Sequence, residues 1–276
     1  MPANKQEKIN KNQGGFFRVW MCLLLGFLMD FSLKESLSDD LVKSAIVFAP
    51  HQDDETLGCG GTIAKKKQAG AEVKIVFMTD GGMSSPCTEP QEILKSVRVS
   101  EALAAGGALG LKENEIIFLG YADGNLRQYH TEAVDKITTL LNQETVQEIF
   151  IPYYKDVHGD HTAANQIVFE AVRQSNFTGT VYEYPVWFWN HWPWVKAGIS
   201  HYGIMTIKKS VRYFWPRLKD FNCFVNVEDF LVPKRVAFDQ YKSQQEICNF
   251  SNGMFIKMLF RKKEVFCRYE IGLRGA

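Results

Sequence analysis

The chain reads as an α/β protein, a Rossmann-like three-layer sandwich with a mostly parallel sheet and a C-terminal elaboration. Two observations predict this. Short apolar runs rich in β-formers alternate with segments of helical periodicity, and the order strand, loop, helix recurs four times within residues 44–184. The residues best suited to chemistry fall directly after two of those runs, where open parallel sheets bind ligands. Strands separated by single helices imply right-handed βαβ units.

Residues 1–14 (MPANKQEKINKNQG) are polar and basic, the composition of a disordered tail. An apolar run follows at residues 19–29, closed off by Arg18 and Asp30. A membrane span needs about 20 such residues, so this run is too short to cross alone. No small-residue cleavage site follows Met29. An amphipathic surface helix, an interfacial anchor and a signal segment all remain open. Membrane contact through residues 16–33 is possible but not favoured, and the expected location is cytoplasmic. We separate residues 1–37 as a tail from a single domain at 38–276.

Five strands are expected at 45–49 (AIVFA), 73–78 (VKIVFM), 116–119 (IIFL), 148–152 (EIFIP) and 180–184 (TVYEY). Helices are expected at 61–68, 91–109, 131–142 and 161–174. After Pro185 the alternation stops. Residues 186–195 (VWFWNHWPWV) hold four tryptophans, 201–230 mix strand-like runs with charges, and 233–249 read as a helix. No linker rich in Pro, Gly or Ser separates the parts, so 44–184 form the core and 185–276 an elaboration of one domain.

Composition narrows the function classes. The 276 residues are 46% hydrophobic, which excludes a wholly disordered or collagen-like chain. Lys and Arg total 32 against 31 Asp and Glu, a formal charge of +1. A protein that neutralises phosphates would be more basic, so nucleic acid is not an expected partner. The six cysteines contain no CxxC pair. Neither a disulfide scaffold nor a zinc ribbon fits, and they read as reduced, mostly buried thiols.

The first chemical cluster is His51-Gln52-Asp53-Asp54-Glu55, closing the first strand. The spacing of His51 and Asp54 allows an imidazole nitrogen and a carboxylate oxygen on one cation, and zinc accepts that mixture. By itself the run also reads as an acidic turn capping a helix. The second cluster, His158-Gly159-Asp160-His161, closes the fourth strand. It suits metal ligation, with a carboxylate orienting an imidazole. Both clusters end strands of one parallel sheet and so face one crevice, which favours the metal reading. Gly58, Gly60 and Gly61 do not match a GxGxxG dinucleotide loop. Ser84 and Ser85 are not in a nucleophile elbow.

PHQDDE after an apolar strand, then GCGGTIA, TDGG after the second strand, RxxE in a helix, DGxL, and HGDH before a helix together resemble the LmbE-like (PIG-L) superfamily. The resemblance covers roughly residues 44–184, with a weaker echo in KRVAFDQYKSQ near the C-terminus. Gln52 stands where the family usually has Pro, at a position that supplies no ligand. The resemblance implies a zinc-dependent N-deacetylase acting on N-acetylglucosaminyl compounds. It implies His51, Asp54 and His161 as Zn2+ ligands, Asp53 as general base, and a protonated His158 stabilising the oxyanion and oriented by Asp160. Three protein ligands leave a position for water, as in catalytic rather than structural zinc sites.

The resemblance implies sugar contacts from Arg98 and Glu101, which share a helix face and otherwise read as a surface ion pair. Asp123, in Ala122-Asp123-Gly124-Asn125-Leu126, is a third candidate, although DG is also a plain turn signal. Trp187, Trp189, Trp192 and Trp194 could stack on sugar faces, but aromatics this dense more often build a core or an interface. We leave them out of the site. The expected partner is a small N-acetylated sugar or glycoconjugate. Two other readings are a non-catalytic sugar-binding protein that keeps the fold and a metal-dependent hydrolase of another bond. Asp53 argues against the binding protein, which has no use for a base beside the metal.

Overall fold

The computed structural model describes residues 33–35, 38–83, 90–189, 219–245 and 253–272. The tail, the apolar run at 19–29, Trp192, Trp194 and residues 246–249 of the expected C-terminal helix lie outside the described residues. No helix among the described residues is long and apolar enough to cross a membrane.

In chain order the strands are β1 (Lys34–Glu35), β2 (Ala45–Ala49), β3 (Val73–Thr79), β4 (Ile116–Tyr121), β5 (Glu148–Pro152), β6 (Gly179–Tyr184), β7 (Cys223–Asn226) and β8 (Lys263–Ile271). The helices are α1 (Asp54–Gln68), α2 (Gln91–Ala108), α3 (His130–Gln143), α4 (Gly159–Gln174), α5 (Leu231–Phe238) and α6 (Gly253–Leu259). They build one sheet in the order β1-β7-β8-β6-β5-β2-β3-β4. The pairings β2–β3, β3–β4, β2–β5, β5–β6 and β1–β7 are parallel, while β8 runs antiparallel to both β6 and β7. The sheet is therefore parallel apart from one strand of the elaboration.

The central strands β2, β3 and β5 are largely apolar because both faces of the sheet are covered there. Along β2, Ala45, Val47 and Ala49 join a core with α1, α2 and the C-terminal elements. Ile46 and Phe48 turn the other way, into a core with α3 and α4. This alternation produces three layers. The chain steps outward from β2 through β3 to β4, then crosses back to lay β5 on the other side of β2. The strand order reverses between β2 and β5, where a doubly wound sheet opens a crevice at its carboxyl edge.

Two expectations require correction. The first helix begins at Asp54 and not at residue 61, because the glycines there do not break the helix. They admit neighbours: a Cβ at Gly58 would lie 2.1 Å from a Tyr184 ring carbon, and one at Gly61 would lie 2.7 Å from Val227. Helix α1 kinks once, at Cys59, whose φ and ψ are −145° and 21°. The stretch expected as one helix over 233–249 instead ends at Phe238 and turns at Asp239–Gln240. Pro233 is accommodated in the first turn of α5, where no backbone donor is needed. The sequence reading also did not anticipate β8. The elaboration is locked to α1 by Glu264, which accepts from Gly61 N, Thr62 N, the Thr62 hydroxyl and Lys234 Nζ.

Candidate active site at the strand-order reversal

Ala49 and Pro152 end β2 and β5 on either side of the reversal, and the loops beyond them carry the two clusters. The first loop is tied to β3: Pro50 O accepts from Thr79 N at 3.0 Å and from the Thr79 hydroxyl at 2.8 Å. Gln52, fully buried, donates from its side chain to Thr79 O, a tie that proline could not make. From the second loop His158 serves as N-cap of α4, its Nδ1 accepting from Asp160 N.

These loops bring His51, Asp54 and His161 together. Asp54 Oδ2 lies 3.1 Å from His51 Nδ1 and 3.1 Å from His161 Nε2, and it accepts from His51 N. His51, His158 and His161 offer ring nitrogens within 4.8 Å of one another. On its far side His51 Nε2 meets Asp123 Oδ1 at 3.1 Å and Asp160 Oδ2 at 3.3 Å. His161 Nδ1 meets Asp156 Oδ2 at 3.1 Å. The His51 and His161 imidazoles thus each have one nitrogen on an outer carboxylate and the other turned toward Asp54. That arrangement fixes the tautomer of a metal-binding histidine.

The electrostatics follow from burial and crowding. Burial alone would disfavour the charged forms of His51 and His161. For His51 this is outweighed by hydrogen bonds to Asp123, Asp160 and Asp54, which raise its pKa well above the ordinary value. For His161 the charge of Asp54 and its hydrogen bond to Asp156 outweigh burial and raise it to about 9. Asp54 shows the converse, with the two imidazoles overriding burial and holding its carboxyl far below the usual range. Asp123 falls to about 2, burial being outweighed by its hydrogen bond to His51. His158 goes down, through burial and the neighbouring His51 and His161 charges. Asp53 goes up to about 7, through burial and then the charge of Asp54.

The donor set suits a divalent cation. Four buried carboxylates (Asp54, Asp123, Asp156 and Asp160) converge on His51 and His161, which without a metal can balance them only by holding protons. His161 Nε2, fully buried, makes no hydrogen bond of good geometry. Two ring nitrogens and one carboxylate oxygen with this separation are the mixed donors that zinc takes.

Several placements differ from the expectations. Arg98 is 2% exposed, donates to Gln52 O, and approaches Asp53 Oδ1 at 3.6 Å. Glu101 accepts from Ser243 N and the Ser243 hydroxyl, so the two residues share a helix face that turns inward. Asp123 has both oxygens engaged, one by His51 and the other by Met83 N. The Asp160 carboxylate turns to His51, Gly124 N and Leu126 N and does not orient His158. Burial and the neighbouring His51 and His161 charges lower the His158 pKa, which favours its neutral imidazole.

Sequence reasoning missed Asp156 and gave Glu55, named within the first cluster, no role. Asp156 holds His161 and also accepts from Val157, Val186 and Trp187 backbone N–H groups. Its one available signal was a carboxylate two residues before His158. Glu55 accepts from Asp53 N at 3.1 Å and from the Tyr241 hydroxyl at 2.6 Å. Asp53 is the one non-glycine described residue with positive φ, +143°, a backbone state costing on the order of 1–3 kcal/mol.

A doubly wound α/β fold with a buried His/Asp cluster at the strand-order reversal defines a protein whose sheet crevice could hold a metal ion. Residues 46–172 match the family model described as "PIG-L: GlcNAc-PI de-N-acetylase", so this stretch is similar to the PIG-L (LmbE-like) family. It is 31% identical over 150 residues to the diacetylchitobiose deacetylase of Thermococcus kodakarensis, covering 52% of this chain and 54% of that protein. It is 27% identical over 136 residues to a probable N-acetyl-alpha-D-glucosaminyl L-malate deacetylase 2 of Bacillus anthracis, covering 47% and 59%. The matches thus span little more than half the length of these curated relatives. The fold is also that of the N,N'-diacetylchitobiose deacetylase structure from Pyrococcus horikoshii, with a TM-score of 0.60 and 23% identity over 88% of this chain and 89% of that one.

Proposed function

We propose that the protein is a zinc-dependent N-deacetylase, hydrolysing the acetamide of an N-acetylglucosaminyl compound to acetate and a free amine. One observation carries the reading: Asp53, a carboxylate with pKa raised to about 7, stands next in sequence to Asp54 at the centre of the candidate metal pocket. A binding protein has no need of a base there. The family match and the deacetylases among the relatives support the same reading and the N-acetylglucosaminyl class.

His51, Asp54 and His161 would hold the zinc, which when bound polarises a water and the acetamide carbonyl. Asp53 takes the proton of the attacking water and returns it to the departing amine nitrogen. A carboxyl titrating near neutral pH can do both. His158 is fixed in tautomer, because its Nδ1 accepts from Asp160 N and its proton therefore sits on Nε2. Its neutral Nε2–H then donates a hydrogen bond to the oxyanion as charge develops. Asp123, Asp160 and Asp156 orient the two ligand imidazoles.

The test is acetate release by the zinc-loaded protein from a panel of N-acetylglucosaminides, including N,N'-diacetylchitobiose and N-acetylglucosaminyl malate. Zinc-dependent release from at least one supports the proposal. Sugar binding with no bond cleaved returns the chain to the binding-protein reading, and cleavage of a different bond to the other hydrolase reading.

A further inference from the structure

Asp53 is held in its left-handed backbone conformation from two sides. Its N–H donates to Glu55 Oε2 at 3.1 Å. Glu55 is fully buried, and its other oxygen accepts from the hydroxyls of Tyr241, at 2.6 Å, and Thr56. Tyr241 is also fully buried and lies in the C-terminal elaboration, just past the turn that ends α5. On the opposite side Arg98 grips the preceding carbonyl, Gln52 O, and approaches the Asp53 carboxylate. Among the described residues the Glu55 side chain bonds to Asp53 N, Tyr241 and Thr56 and not to an imidazole of the site.

An L-residue at φ +143° relaxes to negative φ once its restraints are removed. That rotation swings the carboxylate relative to the loop that carries His51. We infer that Glu55 and Tyr241 are a positioning pair: through the Asp53 N–H they lock the general base in its strained backbone state, and Tyr241 is the contact by which the C-terminal elaboration sets the direction of that base. The kinetic consequence rests on the deacetylase reading; the backbone consequence does not.

The experiment uses the full zinc-loaded chain and three variants: Glu55→Met, Glu55→Gln and Tyr241→Phe. Glu55→Met keeps the length of the side chain but removes both acceptors. Its kcat should fall by about 10²-fold, the effect of displacing a reacting group by about 1 Å, while KM and bound zinc stay unchanged. Tyr241→Phe keeps the ring and loses the hydroxyl, and should give a smaller fall in kcat with KM again unchanged. Glu55→Gln keeps an oxygen for the Asp53 N–H and amide protons for the two hydroxyls, and should restore kcat close to wild type.

Hydrogen exchange at the Asp53 amide provides a readout independent of turnover: faster in Glu55→Met and Tyr241→Phe, protected in Glu55→Gln. A purely structural role would lower thermal stability in these variants without a selective loss of kcat or of Asp53 protection. If Glu55→Met fails to fold, Tyr241→Phe decides the matter. Wild-type kcat and wild-type Asp53 protection in the folded variants overturn the inference, as does equal damage by Gln and Met. If the wild-type protein releases no acetate, the deacetylase reading fails, and amide exchange still decides whether the pair holds Asp53.

Discussion

Replacing Asp156 with asparagine separates what holds the candidate metal from what binds it. Asp156 accepts from His161 Nδ1 at 3.1 Å and from Trp187 N and Val186 N with one oxygen, and from Val157 N with the other. Asparagine keeps the size but has one acceptor oxygen and two amide protons. If the oxygen stays on the His161 side, the NH2 group opposes Val157 N–H. If it flips, the NH2 group faces His161 Nδ1 and two backbone donors. The flipped state moves the imidazole proton to Nε2, the atom that must be bare to ligate. Either way a donor is left facing a donor and the charged hydrogen bond to the imidazole is lost. Loss of such a partner to a metal-binding histidine costs about 10–100-fold in affinity, or roughly 1.4–2.8 kcal/mol. Competition with a fluorescent zinc chelator, at a pH where His161 is free of protons in the metal-bound form, measures it directly. Unchanged zinc affinity in a folded Asp156→Asn protein would refute the orientation argument and leave Asp156 as a loop anchor only.

Three other outcomes are expected. Asp53→Asn should keep its zinc and lose about 10²–10⁴-fold in kcat, whereas Asp54→Asn should lose zinc as well; metal analysis alongside acetate release distinguishes them, and a zinc-replete Asp53→Asn protein at wild-type rate removes the general base. Lys234→Met leaves the buried Glu264 charge without its cation and two carbonyls, those of Leu57 and Leu259, without that donor, so urea unfolding should show a loss of about 3–5 kcal/mol; an unmoved midpoint would contradict it. Glu183 is buried on β6 against Asn165 and Tyr269, and burial raises its carboxyl from 4.5 to about 7. Because the folded value is the higher one, its contribution is fully present below about pH 4.5 and is lost as pH rises through about 7, at most about 3 kcal/mol. Glu183→Gln should flatten that part of the stability–pH curve, and an identical slope in both proteins would exclude Glu183 as its source.

The α/β core was legible because its signal is local. Strands β2, β3 and β5 are buried on both faces, so their apolar runs are continuous and stand out from the helical stretches between them. The first helix was placed too late because Gly58, Gly60 and Gly61 look like helix breakers in one dimension. Their reason is lateral: Tyr184 and Val227 occupy the space where side chains would stand. The same limit applies to β8, a strand whose place between β6 and β7 is set by partners far away in the chain.

The candidate site divides along the same line. Adjacency to strand ends and the spacing within HQDDE and HGDH are properties of the sequence, and they place His51, Asp54 and His161 in one crevice. Spacing also puts Arg98 and Glu101 on one helix face, but it does not say which way that face turns. Packing turns it inward, where Arg98 supports the loop at Gln52 and Glu101 holds Ser243. Asp123 and Asp160 read alike as loop carboxylates, and only the approach of their loops commits both to His51 Nε2. By itself, then, the sequence determines what depends on neighbours along the chain: the order of strands and helices, the crevice, and the donor types gathered there. The tertiary structure alone decides which carboxylate meets which imidazole and that Tyr241 reaches back to Glu55 behind Asp53. Those contacts join residues as much as 186 positions apart, and they depend on how the layers pack, not on any periodicity along the chain.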